Sequence, residues 1–376
     1  MISAQDDLIG HQAPAPFAEG VGSGDARFTE RYWYTLHPIT GTVDGTPMII
    51  DIGMGYYPNK GVMDVFAGIT VGRKQHNFRA TRTLGDTPLH VGAGPLRIDV
   101  VEGAKRHRLT LMDNDSGFSF ALDFEASFPV AQEKQNYRER KGQVEEDMVR
   151  TMQFGRWQGW FVINGTRHEV TPQSWWGQRD HSWGIRSEMR TDEAAPPVQQ
   201  HSSFFWTWSM FQFEDRGISI FLKEREPGKP HYLSACEFVR AEDGSVTHRE
   251  ATGATHDLTW ADDPLGQTIE AGSFTLTFAE GPPLTVRMEG QEARFYLKGG
   301  LYGGFNGWNH GDHKGDYHAE HDVWDLDDAA TRAKARTLGD HVVRATCDGR
   351  TGIGISEYGV AQGYPRYPGP QKHPAL

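Results

Sequence analysis

One segment gathers groups able to move a proton. Trp175-Trp176-Gly177-Gln178-Arg179-Asp180-His181-Ser182-Trp183-Gly184-Ile185-Arg186 sets a carboxylate, an imidazole, a hydroxyl and two guanidiniums among three tryptophans. Read as a strand, its side chains alternate. Asp180, Ser182 and Arg186 then share one face, and Arg179, His181 and Trp183 the other. Burial disfavours the charged form of an acid, so a carboxyl among indoles can hold a proton near neutrality. The competing reading is an Asp–Arg ion pair that pins the strand, with the tryptophans as core.

A second cluster runs from His310 to His321, with four histidines and three acids. Imidazole and carboxylate suit zinc or iron. The spacing fits no ligand pattern, and Gly311 and Gly315 make a loop rather than a helix face. The sequence therefore predicts no bound metal and no cofactor. If Tyr317 to Asp325 is a strand, Tyr317, His321, Val323 and Asp325 face one way, as a ligand-facing wall would. Aromatic runs such as Phe204 to Trp208 and Tyr302 to Trp308 read as core or as the lining of an apolar cavity. Such rings would also stabilise a cation.

The elements that must position these groups are strands. The 376 residues suggest two domains, on a prior of about 150 residues each. Short apolar or alternating runs recur at Phe28 to Leu36, Met48 to Tyr57, Val62 to Val71, Phe78 to Thr83, Leu96 to Val101, His107 to Met112 and Phe118 to Phe124. They recur again beyond residue 203. The pattern predicts an all-β chain, each domain an antiparallel barrel or sandwich with few short helices. One helix is expected at Ala329 to Arg336, capped by Asp327 or Asp328. Gln132 to Asp147 reads as a surface helix or an excursion between strands. The Pro-rich break at Ala194 to Pro197 places a boundary, giving an arm over 1–24 and domains over 25–195 and 196–376.

Composition excludes several functions. Acids outnumber Lys and Arg by 50 to 38, a net charge of −12, which argues against nucleic acid and against an anionic membrane surface. No nucleotide-binding glycine loop and no Gly-x-Ser-x-Gly elbow is present. No apolar run reaches the ~20 residues of a membrane span. Met1 to Asp7 has neither a basic region nor an apolar core, so no signal peptide is expected. Cys236 and Cys347 need no disulfide, and a cytoplasmic location is the simpler expectation.

Gly177 to Gly184 resembles the Asp-His-x-Trp-Gly signature of the carotenoid 1,2-hydratase and AttH-type superfamily. The resemblance extends to Gly311, to Glu320–Asp325 and to Gly352–Gly359, and is closest to a poorly characterised bacterial branch. It implies tandem lipocalin-like (calycin) domains, a pocket for a long apolar molecule, and acid-initiated chemistry on isoprenoids or polyenes. Asp180 takes the place of the proton donor on this reading, within reach of His181 or His321 near the domain junction. Trp176, Trp183, Arg186, Tyr317, Trp206 and Trp208 would contact substrate. The expected function is a cofactor-independent hydratase, dehydratase, isomerase or cyclase acting on a terpenoid or similar lipid. The alternative is a non-catalytic carrier of an apolar ligand. A carrier has little use for a buried Asp, because burying a charge is costly.

Overall fold

Tight turns between strands settle the local structure. Asn164-Gly165 joins Gln143–Ile163 to Thr166–Val170, and both residues take left-handed backbone, with φ of 50° and 77°. A two-residue hairpin turn demands that geometry, because it matches the twist of the flanking strands. The computed structural model describes residues 2–10, 24–186, 203–261, 268–335, 338–361 and 363–367.

The described strands form two antiparallel systems. The first runs Tyr317–Asp325, Lys74–Thr83, Val62–Val71, Thr46–Tyr57, Phe28–Pro38, Trp175–Ile185, Gln143–Ile163, Phe118–Ala126, Arg106–Leu111, Leu96–Glu102 and Gly92–Ala93. It curls until its ends nearly meet, and Arg82 donates across the gap to the Gly92 carbonyl at 2.7 Å. Among the described residues, the second system is a closed barrel of eight strands, from Phe205–Gln212 round to Arg350–Val360. The chain is thus all-β, as its pattern of short strands implies.

Tyr317–Asp325 is late in the chain, yet it lies in the first sheet. After Tyr296 the chain leaves the second barrel and lays this strand against Lys74–Thr83. It returns through the helix Ala329–Ala335 to Gly339. Arg79 fixes the crossing, donating to Asp322 Oδ2 at 2.6 Å, and Asn77 donates to its other oxygen at 2.8 Å. The expected boundary at 195/196 lies outside the described residues.

Gln132 to Asp147 is not a helix but the excursion between strands. Asn136–Arg140 and the start of Gln143–Ile163 form a hairpin. Lys141 and Gly142 supply its left-handed turn, at φ of 52° and 78°. The charges that suggest a surface helix instead pair across the ribbon, as Arg138 does with Glu145 at 3.1 Å.

Each barrel is filled by its own side chains, among them Tyr34, Phe124 and Trp157 in the first and Phe205, Phe211 and Phe274 in the second. A third apolar cluster joins them, with Trp33, Phe66 and Phe154 on one side and Trp208, Phe238 and Phe295 on the other. Trp33 meets Trp208 edge-on at 5.3 Å. Burying such side chains is worth about 1.5–3 kcal/mol each, so the barrels are held together by a core of their own. Gly68 shows how close they come, since a Cβ there would lie 2.3 Å from the Phe295 ring.

Candidate active site

The Trp175–Ile185 strand lies between Phe28–Pro38 and Gln143–Ile163 and is buried on both faces. Its alternation sends Arg179 and His181 into the first barrel. Arg179 donates to both oxygens of Asp7, at 2.7 and 2.8 Å, and His107 meets the same carboxylate at 2.8 Å. Burial pushes the Asp7 carboxyl up, but Arg179 and His107 outweigh it and hold it well below the usual range. His181 Nε2 lies 2.8 Å from Glu30 Oε1. The inward half of the motif thus anchors the chain start and a neighbouring strand.

The outward half faces the second barrel. Strand register builds a row there. Asp64 pairs with Gly55, Gly55 with Arg31, Arg31 with Ser182, and Ser182 with Arg150. Directly paired residues point the same way, about 4.8 Å apart. Gly55 leaves a gap in the row, and the Tyr57 hydroxyl occupies it, 2.4 Å from where a Cβ would stand.

The segment between Leu297 and Asp316 brings a further group to this face. Asn309 N donates to Asp312 Oδ2 at 2.7 Å, and Gly311 takes left-handed backbone at φ 74°, closing a turn around His310. His310 Nδ1 lies 3.2 Å from both oxygens of Asp64, and the Gly311 amide donates to the same carboxylate at 2.7 Å. A proton on Nδ1 leaves Nε2 with its lone pair. That atom is buried with no hydrogen-bond partner among the described residues. Burial, helped by Arg31, outweighs the pull of Asp64 and lowers the His310 value, so the ring is neutral at pH 7. Tyr302 stands edge-on to it at 4.9 Å.

Arg31, Tyr57, Arg186, Tyr302, Asn309 and His310 line one cleft, with about 650 Å³ of empty space counting its open mouth. Arg31 lies between two rings, 5.6 Å from the centre of Tyr57 and 5.7 Å from that of Tyr302. Burial raises both tyrosine values, so both remain O–H donors.

Asp180 lies beside this cleft and is not among its lining residues. Arg150 Nε is 3.0 Å from Asp180 Oδ2. The Arg150 guanidinium also covers the Trp208 and Phe221 rings, at 5.5 and 5.3 Å. Trp208 Nε1 donates to Glu133 at 2.6 Å. Burial raises the Asp180 value, and Arg150 and Arg186 only partly offset it. Deeper in the junction, Asp51, Asp340 and Glu357 are buried together. Burial pushes Asp51 up to about 7, and it raises Asp340 and Glu357 well above the usual range, helped by their mutual repulsion.

The structure brings some expected site residues together and separates others. Asp180, Trp176 and Trp208 are buried in the junction, Trp206 packs against it half-buried, and Arg186 reaches the cleft. His181 is not beside Asp180, because adjacent strand positions face opposite ways. Trp183 shares the His181 side, 5.1 Å from its ring. His321 is exposed on the edge strand, with four strands between it and Trp175–Ile185. Tyr317, on the same strand, is half exposed. No group of three or more His, Cys, Asp or Glu among the described residues is placed to hold a metal ion.

Sequence reasoning missed Asp64, Arg31 and the particular role of His310, and took Tyr57 and Tyr302 only as core or cavity lining. One signal was available. Asp64 is a lone charge within Val62-Met63-Asp64-Val65-Phe66, where an unpartnered carboxylate would be costly.

No curated protein sequence matches this chain. Among solved structures it is similar to an AttH-like protein of Nitrosomonas europaea, at 13% identity over 95% of this chain and 99% of that one, with a TM-score of 0.54. It also aligns with kievitone hydratase of Nectria haematococca, at 11% identity over 88% of each chain and a TM-score of 0.47. A structure of CghA with Sch210972 aligns at 10% identity over 89% of each chain, with a TM-score of 0.49. The first likeness is one of fold, two antiparallel barrels in tandem. A family model described as a family of unknown function (DUF8625) matches residues 2–364. That span takes in both barrels and the cleft lined by Arg31 and His310, and the chain belongs to this family.

Proposed function

We propose that the protein is a cofactor-independent hydratase, dehydratase, isomerase or cyclase that works by proton transfer in the cleft lined by Arg31 and His310. The observation that carries this is the His310–Asp64 pair, with Nδ1 held by a carboxylate and Nε2 buried without a hydrogen-bond partner among the described residues, on a ring that lines the cleft. Such a pair accepts a proton at Nε2, and the carboxylate stabilises the imidazolium that forms. In a dehydration, Nε2 takes a proton from carbon, the electron pair forms the alkene, and the departing hydroxide takes up the proton from His310 as water. Hydration is the reverse. Tyr302 offers an O–H donor to the oxygen on which charge develops. The Tyr57 and Tyr302 rings give the apolar body of a terpenoid or other lipid a surface to lie on.

A second reading keeps Asp180 as proton donor, as the hydratase-like motif implies, and the burial that raises its value favours it. Its ion pair with Arg150 favours the ionised form instead. The carrier alternative in its lipocalin form puts the ligand inside a barrel, and both interiors here are filled with side chains.

The test is proton exchange. A panel of hydroxylated and unsaturated terpenoids and lipids is incubated with the protein in D2O and read by mass spectrometry. Deuterium incorporation or a mass change of one water is expected with wild type. It should fall about 10²–10⁴-fold in His310→Asn. Full activity in His310→Asn with loss in Asp180→Asn would move the acid–base role to Asp180.

A further inference from the structure

We infer that Arg31 and Arg186 form an anion-holding subsite in the cleft, which takes a carboxylate or phosphate-ester group of the substrate. The inference rests on the cleft being the site of chemistry, and it adds what one end of the substrate must be.

Three arginines elsewhere in the first barrel are matched by acids, and half-buried Arg82 is matched by backbone carbonyls such as those of Gly92 and Thr83. Arg179 has Asp7 at 2.7 Å, Arg79 has Asp322 at 2.6 Å, and Arg150 has Asp180 at 3.0 Å. Arg31 and Arg186 are the contrast. Among the described residues neither has a carboxylate oxygen within 4 Å. Arg31 Nε reaches only the Thr29 hydroxyl, and Arg186 Nη2 only the Ser182 hydroxyl, each at 3.4 Å. The nearby acids are engaged elsewhere, Asp64 by His310 and Gly311, Asp180 by Arg150, and Asp312, which lines the cleft, by Asn309.

Two largely buried cations sharing a cleft wall repel each other. Asp64 favours the charge on Arg31 and Asp180 that on Arg186, but neither acid lies within ion-pair distance. An anion in the cleft would face both guanidiniums. Burial, Arg31 and Arg150 together push Arg186 down to about 10, so it is still charged at pH 7. Tyr57 and Tyr302 flank the Arg31 guanidinium and fix its plane. A fixed guanidinium presents paired N–H donors, which match two oxygens of a carboxylate or phosphate. His310 lines the same cleft, so a substrate held by its anionic end lies beside the His310 ring.

The test uses the full chain at low salt, with calorimetric binding of phenylacetate, phenyl phosphate and the neutral 2-phenylethanol. Wild type should bind at least one anion about tenfold or more tightly than the alcohol, and which one identifies the group. Arg31→Gln and Arg186→Gln should each lose that preference, whereas exposed Arg97→Gln should keep it. Melting curves check the fold, and Arg31→Lys and Arg186→Lys replace any variant that does not fold. His310→Asn separates the two readings, because it should lose turnover and keep anion binding. Normal turnover in His310→Asn, with anion binding lost in the arginine variants, leaves the subsite standing and removes the catalytic assignment. Equal binding of anion and alcohol, no anion binding by wild type, or anion binding that survives both arginine changes would overturn the subsite.

Discussion

Asp51 of the first barrel and Asp340 of the second meet across the junction, both with no exposed surface. Two carboxyls so placed cannot both ionise cheaply, and they are most comfortable sharing a proton.

That contact makes stability depend on pH. Asp51 is raised from 3.8 to about 7 in the folded protein. The folded state therefore binds the proton more tightly, and the stability this contributes is present below about pH 4 and lost as pH rises through 7. Asp51→Asn keeps the shape and removes the titration. Its stability relative to wild type should rise between pH 4 and 7, on the order of 2–4 kcal/mol, and level off above that. Urea midpoints of both proteins across that range measure it. A constant difference would show that Asp51 does not titrate there.

Asp7 works in the opposite sense. Its folded value is depressed, so its contribution is present above the unfolded value of 3.8 and lost as the medium turns more acid. Asp7→Asn leaves Arg179 buried without its counter-charge. A loss of about 3–5 kcal/mol at pH 7 is expected, because stranding one partner of a buried pair is costly. Removal of residues 1–10 should cost about as much. Chemical denaturation near wild-type stability for either variant would contradict the anchor.

Asp64 should control the pH profile of turnover. Burial lowers the His310 value below 6.5, so the acid limb of kcat/KM should lie below that pH. Asp64→Asn removes the group that favours the protonated ring. The limb should move to still lower pH, and kcat should fall by about tenfold or more. An unchanged limb would mean that His310 is not the group being titrated.

Much of the fold was legible because strand period and turn chemistry are local. Phe118 to Phe124 alternates cleanly, and the structure pairs it as a strand. The two faces of the Asp180 segment also follow from alternation alone. What could not be read was pairing between distant segments. Nothing local says that Tyr317–Asp325 lies against Lys74–Thr83, so His321 was expected near Asp180. The same holds for Asp64 and His310, which lie 246 positions apart and meet only through a loop crossing. Gln132 to Asp147 left two readings open for another reason. Its charge content suits a solvated helix and a solvated ribbon equally, and the turn at Lys141-Gly142 decides between them.

The late strand Tyr317–Asp325 has a consequence for synthesis. Chains emerge from the ribosome N-terminus first, so the first barrel is made with Lys74–Thr83 as an open edge. Unpaired N–H and C=O groups on such an edge are a template for other chains. The seal arrives only after most of the second barrel has been translated. A gene cut between the halves would therefore yield a first half that is folded in outline and sticky along one side. Co-expression of the second half, carrying its Tyr317–Asp325 strand, is the arrangement that would restore it to solution.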